Sequence, residues 1–305
     1  MRPERALDIV AAAEPAAEAM LWKRQLERDG FCVIRGAVDP ATIKALHGDL
    51  ADRLDKTPFC ETGFYGQKTK RFGGLLKRSA HAAALVAHPM ILALVDQVLT
   101  PWCDRVQLNF TQAIEIHPGQ AAQKPHKDEG MWGGPKGEME YMISCMWPLT
   151  PYRAENGATL MFPRTHNGGD RQADPGEPVA VEMEPGDVLV FVGSTLHGAG
   201  ANVTNAPRAG LVASYCLGWL KPYENQWLVY PPEVARHFSP DVAALAGYQQ
   251  HRPNLNNYEG RCPSILLGDQ PPPEYLAAAD ELRPEHVAIL ADYARRAAEL
   301  AEARS

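Results

Sequence analysis

The sequence predicts a mainly β protein with flanking helices, whose core is a sandwich or jelly roll. Three observations predict it. Short strand-like runs recur from residue 105 to 219, separated by turns such as His117-Pro-Gly119 and Glu184-Pro-Gly-Asp187. Segments on both sides are rich in Ala, Leu and charged residues, which is helical texture. No internal repeat or low-complexity linker interrupts the 305 residues. One domain over 1–305 follows: a helical N-terminal flank over about 1–104, the core over about 105–220 and a C-terminal helical flank over about 221–305.

Taken in order, residues 16–29 read as a helix that Gly30 stops. Phe31, Cys32, Val33 and Ile34 follow as a short strand. Asp39-Pro40 opens a helix through Leu54, with Asp at the cap and Pro in the first turn. Residues 57–78 carry Gly63, Gly66, Gly73 and Gly74 among aromatic and basic residues and read as a loop. A helix from Ser79 to Leu99 is broken at Pro89. Strands are expected at 106–116, 141–149, 157–162, 179–183, 187–192 and 208–219, and the Ala- and Glu-rich tail 284–303 is helical.

Composition narrows the function. Apolar residues make up 45% and charged residues 22%, ordinary for a soluble globular protein. With 30 basic against 37 acidic residues the net charge is -7, and no basic stripe is present, which argues against nucleic acid as a partner. No apolar run reaches the length of a membrane span. Glu4, Arg5, Asp8, Glu14 and Glu18 break any signal-peptide apolar region near the N-terminus. Cys32, Cys60, Cys103, Cys145, Cys216 and Cys262 form no CxxC pair and read as reduced thiols, hence a cytoplasmic protein. The sequence leaves oligomeric state open, a homodimer included.

Two of the ten histidines matter by context. His126-Lys127-Asp128 sets an imidazole and a carboxylate two residues apart, and on extended backbone both point the same way and reach one ion. Alone, such a triplet often arises by chance. His197 lies in Ser194-Thr-Leu-His-Gly-Ala-Gly200, after the turn and strand that run from Glu184 to Phe191, and its flanking glycines permit close approach. In a jelly roll a late strand lies beside an early one. Two His and one carboxylate on one face of an iron ion form a facial triad with open positions, which admit a bidentate 2-oxo acid and dioxygen. Arg208 opens the apolar run that ends at Tyr215. A lone Arg there is usually a surface charge, but a planar guanidinium also grips a carboxylate bidentately.

Together these features resemble the phytanoyl-CoA dioxygenase family over nearly the whole chain, from Asp29-Gly-Phe-Cys-Val-Ile34 through Gly218-Trp-Leu-Lys-Pro-Tyr-Glu-Asn-Gln226. The most specific pieces are Glu115-Ile-His-Pro-Gly-Gln120, Gln123-Lys-Pro-His-Lys-Asp128, Glu155-Asn-Gly-Ala-Thr159, Pro163-Arg-Thr-His166 and the spacing from His197 to Arg208. The resemblance is closest to the natural-product-oxidising branch, which includes fungal meroterpenoid and alkaloid dioxygenases. It implies a double-stranded β-helix core of the cupin-like kind and an Fe(II)/2-oxoglutarate-dependent dioxygenase. It implies iron at His126, Asp128 and His197, the distal carboxylate of 2-oxoglutarate at Arg208, and further co-substrate contacts at Gln123 and Thr159. It implies oxidation, by dioxygen, of an unactivated C–H bond in a small, largely apolar substrate, with release of succinate and carbon dioxide. Many relatives read Pro-Gly-Ser-His where this chain reads Pro163-Arg164-Thr165-His166, a change expected at the pocket rim. Asp128 is present where halogenating relatives lack the carboxylate, which argues against halogenation.

Competing readings are an acyl-CoA hydroxylase of the same family, a non-catalytic metal-binding jelly roll, and a zinc hydrolase on the same ligands. Around the metal, Phe64, Tyr65, Phe72, Met131 and Trp132 are candidate substrate contacts. Phe64, Tyr65, Phe72 and Leu75 suggest an apolar lid formed by residues 57–78, and for Met131 and Trp132 core packing is the equal alternative. Lys68, Lys70, Arg71, Lys77 and Arg78 read as solvated charges, with anion recognition as the alternative. His117 and His166 are expected to make structural hydrogen bonds, and His88 to sit at a helix end. The segment from Trp219 to Gln226 is a closing segment, or else carries Asn225 and Gln226 to the mouth.

Overall fold

The computed structural model describes residues 5–167 and 175–302. Residues 1–4 of the expected N-terminal flank, 168–174 of the expected core and 303 of the expected tail helix lie outside them. In chain order the first strands are β1 (Phe31–Ile34), β2 (Thr69–Gly73), β3 (Val106–Ile116) and β4 (Met142–Pro148). They continue with β5 (Thr159–Met161), β6 (Val179–Val181), β7 (Val188–Val192), β8 (His197–Ala199) and β9 (Arg208–Leu217). One sheet runs β1-β7-β4-β9-β3-β2 and the other β6-β5-β8, and every pairing is antiparallel. Side chains from both sheets meet in one apolar layer, among them Ile114, Met146, Phe191 and Val212 from the large sheet and Met161 and Val181 from the small one. Two facing antiparallel sheets with long crossovers make the jelly-roll core.

Period-two alternation gives the large sheet two different faces. In β9 every residue is buried. Ala209, Leu211, Ala213, Tyr215 and Leu217 join the core under the helices, while Val212 points between the sheets. In β7 the split is Val188 and Val190 against Leu189 and Phe191. β3 would break this rule without a bulge. Its register with β9 slips between Leu108 and Phe110, so Asn109 is the extra residue. The slip turns Leu108 to the helical side and Phe110 to the interior between the sheets.

Helices cover the outer face of the large sheet. α1 (Arg5–Asp29) starts before the expected residue 16 and runs through Pro15. α2 (Pro40–Lys56) is capped by Asp39, whose side chain accepts from the Ala41 amide, and it buries Ile43, Leu46, Leu50 and Leu54 along one stripe. The expected break separates α3 (Ala80–Val86) from α4 (Pro89–Leu99). His88 sits at that helix end with Nε2 against the Ala37 carbonyl. Residues 57–78 are not a loop throughout, because they contain β2 and a single turn over Leu75–Lys77. After β9 come the short helices α5 (Gln226–Val229), α6 (Pro232–Ala235) and α7 (Pro240–Leu245), then mostly irregular chain with a 3-10 helix at Pro263–Leu267, and last α8 (Pro284–Glu302). Among the described residues no single helix is long and apolar enough to cross a membrane. All six cysteines are free, four of them buried.

Candidate active site

The chain from Gly119 to His126 lies along β8 as a further extended ribbon. Gln123 donates from its backbone amide to Ala199 O, and His126 and His197 exchange both backbone hydrogen bonds, at 2.9 and 3.0 Å. Such a directly opposed antiparallel pair places both side chains on one face. Gly198 permits the approach, since a Cβ there would lie 3.1 Å from Gln123 O. Lys127 is still extended, so Asp128 points as His126 does before the chain turns over Asp128–Met131. The three side chains converge. His126 Nε2 is 3.5 Å and His197 Nε2 is 3.7 Å from the Asp128 carboxylate. All three potential ligand atoms lie within 4.8 Å of one another.

Both rings are oriented for a metal. His126 Nδ1 lies 3.2 Å from Lys124 O and His197 Nδ1 lies 3.0 Å from Thr195 O. A carbonyl accepts only, so each Nδ1 carries the proton and each Nε2 turns a lone pair to the common point. Burial pushes the His197 imidazole below its ordinary pKa, partly offset by Asp128. Burial works to raise the Asp128 carboxyl, but His197, His126 and Arg71 outweigh it and hold the pKa below the usual value. Neutral imidazoles beside an ionised carboxylate are the donor set a divalent transition metal takes.

Arg208 lines the same cavity, which encloses about 290 Å³. It is only 2% exposed. Its Nη1 donates to Tyr152 Oη at 3.1 Å and its Nη2 to Gly157 O, with the guanidinium 4.2 Å from the Tyr152 ring centroid. Its Nε has no acceptor, and no carboxylate among the described residues lies within ion-pair distance of it. A buried cation left this way is costly, and burial lowers its pKa. A carboxylate in the cavity would relieve both deficits.

Gln123 and Thr159 also line this cavity. The Gln123 amide donates to Phe64 O at 3.2 Å, which ties the ribbon to the loop ahead of β2. Phe64 is 49% exposed and its ring sits 4.9 Å from the His126 ring. Tyr65 Oη lies 2.6 Å from Tyr223 Oη. Phe64, Tyr65 and Met131 all line the cavity. Phe72 does not: it lies in the helical-side core, 7% exposed, between the guanidinium groups of Arg53 and Arg78. Alternation along β2 is the reason, because it turns Arg71 to the cavity and Phe72 away. Leu75 is buried in that same core, so only the front of the 57–78 segment covers the cavity. Trp132 is likewise absent from the cavity wall: it stacks on Tyr141 at 6.2 Å and donates to Lys221 O. Arg164 is exposed and away from the cavity, at φ 62°, a left-handed conformation that suits a glycine.

His117 holds Glu115 at 2.6 Å, and His166 holds Glu27 O at 3.0 Å, both structural contacts as expected. Arg71 belongs with the site. Its Nη1 donates to Gln112, its guanidinium stacks 4.8 Å from the Tyr65 ring centroid, and its Nε has no acceptor. The alternation of β2 was the signal for it, hidden by the polar letters of an edge strand. Phe110, Met146 and Tyr223 carry no local signal at all, since long-range packing alone brings them to the cavity, as it brings Tyr152 to Arg208.

The family model of phytanoyl-CoA dioxygenase (PhyH) matches residues 26–210. The chain is 30% identical over 275 residues to dioxygenase FrzG of a Cladobotryum species, an alignment that covers 80% of this chain and 88% of that one. It is 25% identical over 256 residues to dioxygenase trt7 of Aspergillus terreus, covering 79% and 88%. Among solved structures, the epimerase SnoN in complex with Fe3+, alpha ketoglutarate and nogalamycin RO superposes with a TM-score of 0.55 at 21% identity, covering 66% of this chain and 84% of that one. That likeness is one of fold.

Proposed function

The chain belongs to the phytanoyl-CoA dioxygenase family, and we propose that it is an Fe(II)- and 2-oxoglutarate-dependent dioxygenase acting on a small, largely apolar natural product. The reading takes the β core with its helical flanks as one catalytic domain. His126, Asp128 and His197 hold the metal on one face. Arg208 receives the distal carboxylate of 2-oxoglutarate, with Gln123 and Thr159 lining the same cavity and Arg71 adding positive charge from β2, two strands away in the same sheet. When bound, iron with 2-oxoglutarate and dioxygen supplies oxidation of an unactivated C–H bond, with succinate and carbon dioxide released. The residues of the chain orient the substrate and keep water out. Phe110, Met146, Phe191 and Val212 give the cavity an apolar lining, and Phe64 and Tyr65 close it from the loop side.

One observation carries this reading: the buried Arg208, with no carboxylate partner among the described residues, in the cavity that also holds the three-ligand cluster. A metal-only protein or a zinc hydrolase has no use for that cation. Purified protein given iron and 2-oxoglutarate should release succinate, and His126→Ala, Asp128→Ala or His197→Ala should abolish it, because each removes one of only three ligands. Near-wild-type succinate from any of the three variants would overturn the ligand assignment. No succinate from the wild type with any metal would overturn the activity.

A further inference from the structure

Four segments bring side chains to the cavity wall around the metal cluster. They are the ribbon 119–126 with Gln123, the metal turn Asp128–Met131 with Met131, the closing segment 219–226 with Tyr223, and the front loop 57–68 with Phe64 and Tyr65. Phe64, Met131 and Tyr223 line the cavity yet are 49, 40 and 51% exposed, so they form its mouth. The ribbon runs on directly into the metal turn. It holds the front loop through Gln123 Nε2, which donates to Phe64 O at 3.2 Å, and through Gln120 Oε1, which accepts from the Lys68 amide at 2.8 Å. Just after the metal turn, the Trp132 indole donates to Lys221 O at 2.8 Å and so holds the closing segment.

Asn109 gathers the rest. It is the extra residue of the β3 bulge and is 0% exposed. A bulge leaves its residue unpaired in the ladder, so the polar groups of Asn109 are free for other partners. Its Oδ1 accepts from the Tyr223 amide at 2.7 Å, and its carbonyl accepts from the Glu224 amide and from Gln226 Nε2, each at 3.1 Å. Its Nδ2 donates to Ser214 Oγ at 3.3 Å and to Met131 Sδ at 3.9 Å. One buried side chain thus fixes Tyr223 and Met131 on two of the four segments. The remaining junction is of a different kind. Among the described residues a single hydrogen bond joins the closing segment to the front loop, between Tyr223 Oη and Tyr65 Oη at 2.6 Å. It lies at the surface, where water competes for both hydroxyls.

We propose that Asn109 is a positioning residue for the substrate: it fixes Tyr223 on the rim, and the Tyr65–Tyr223 hydrogen bond is the seam at which the mouth opens to admit substrate. This assignment rests on the reading of the cavity as a substrate site. The rim parts where the fewest bonds break, and at this seam only one does. The front loop carries none of the metal ligands and not Arg208, so its movement leaves both in place. It also has room to move at Gly63, where nothing lies within 4 Å of the position of a Cβ. Loops that open and close in this way admit substrate and then shut out water.

The test is the rate at which iodoacetamide alkylates the full chain carrying Val212→Cys, read by peptide mass spectrometry. Val212 lines the cavity and is 5% exposed, so the reagent reaches that position through the mouth. Cys145, 0% exposed in the core under the helices, reports global opening in the same sample. In this background Tyr65→Phe and Tyr223→Phe should each speed alkylation at position 212 about three- to tenfold, the worth of one hydrogen bond, with Cys145 unchanged. The two together should add nothing further. Asn109→Ala should act at least as strongly, and Tyr65→Phe should add nothing to it, because Tyr223 has then already lost its place. An unchanged rate in Tyr65→Phe overturns the seam. Effects of Asn109→Ala and Tyr65→Phe that multiply overturn positioning through Asn109. Alkylation of Cys145 that keeps pace with position 212 overturns the proposal as well, since the chain would then be unfolding. Absence of succinate release from the wild type would overturn the catalytic reading instead, and these rates do not depend on it.

Discussion

Arg208 reaches its position through a side chain that is missing two residues later. A Cβ on Gly210 would fall on the Tyr152 hydroxyl, so only glycine lets Tyr152 approach and orient the guanidinium. Arg208 is solvent-shielded, and no carboxylate among the described residues pairs with it. Breaking a buried hydrogen-bonded charge pair costs roughly 2–5 kcal/mol. Arg208→Ala should weaken 2-oxoglutarate binding about 30-fold or more, while the metal still binds, as titration calorimetry on metal-loaded protein would read. Arg208→Lys should recover only part, because an ammonium keeps the charge but not the fork. Unchanged affinity in the Ala variant would remove Arg208 from the co-substrate site.

Strand β2 decides which of two adjacent residues faces the cavity. Arg71 faces the cavity and Phe72 the helical core, so the loop before β2, and not the whole glycine-rich segment, closes the site. Phe72→Ala should cost about 3–5 kcal/mol of stability, as deletion of a buried ring does. It should leave the ratio of succinate to oxidised product at the wild-type value. Loss of coupling without loss of thermal stability would return Phe72 to the substrate pocket. The Asn109 bulge acts at the same scale, because it alone puts Phe110 on the cavity wall while Leu108 packs under the helices.

For the whole molecule, stability should carry a pH signature away from the metal. Burial raises the Glu140 carboxyl to about 7, against the hydrogen bonds it accepts from Ser194, with Glu129 adding to the rise and Lys127 opposing it. The folded pKa exceeds the unfolded one, so Glu140 contributes stability that is fully present below the unfolded value near 4.5 and is lost as pH rises through 7. Relative to Glu140→Gln, the wild type should lose on the order of 1–2 kcal/mol between pH 5 and 8, read by denaturant unfolding at the two pH values. A difference that does not change with pH would mean that Glu140 titrates normally in the fold.

The sequence by itself determined the mainly β core, the extent of β3, the Asp39 cap and the break at Pro89, because strand propensity, turn chemistry and proline geometry act within a few residues. It also singled out His126, Asp128, His197 and Arg208, through short motifs that the family resemblance joined. Only the tertiary structure decided that His126 and His197 are a directly opposed pair, that Arg71 faces the cavity while Phe72 and Trp132 pack elsewhere, and that α8 remains uncovered. Those outcomes depend on register, on one bulge and on which faces meet across the two sheets. A one-residue slip reverses them, and a linear string does not record it.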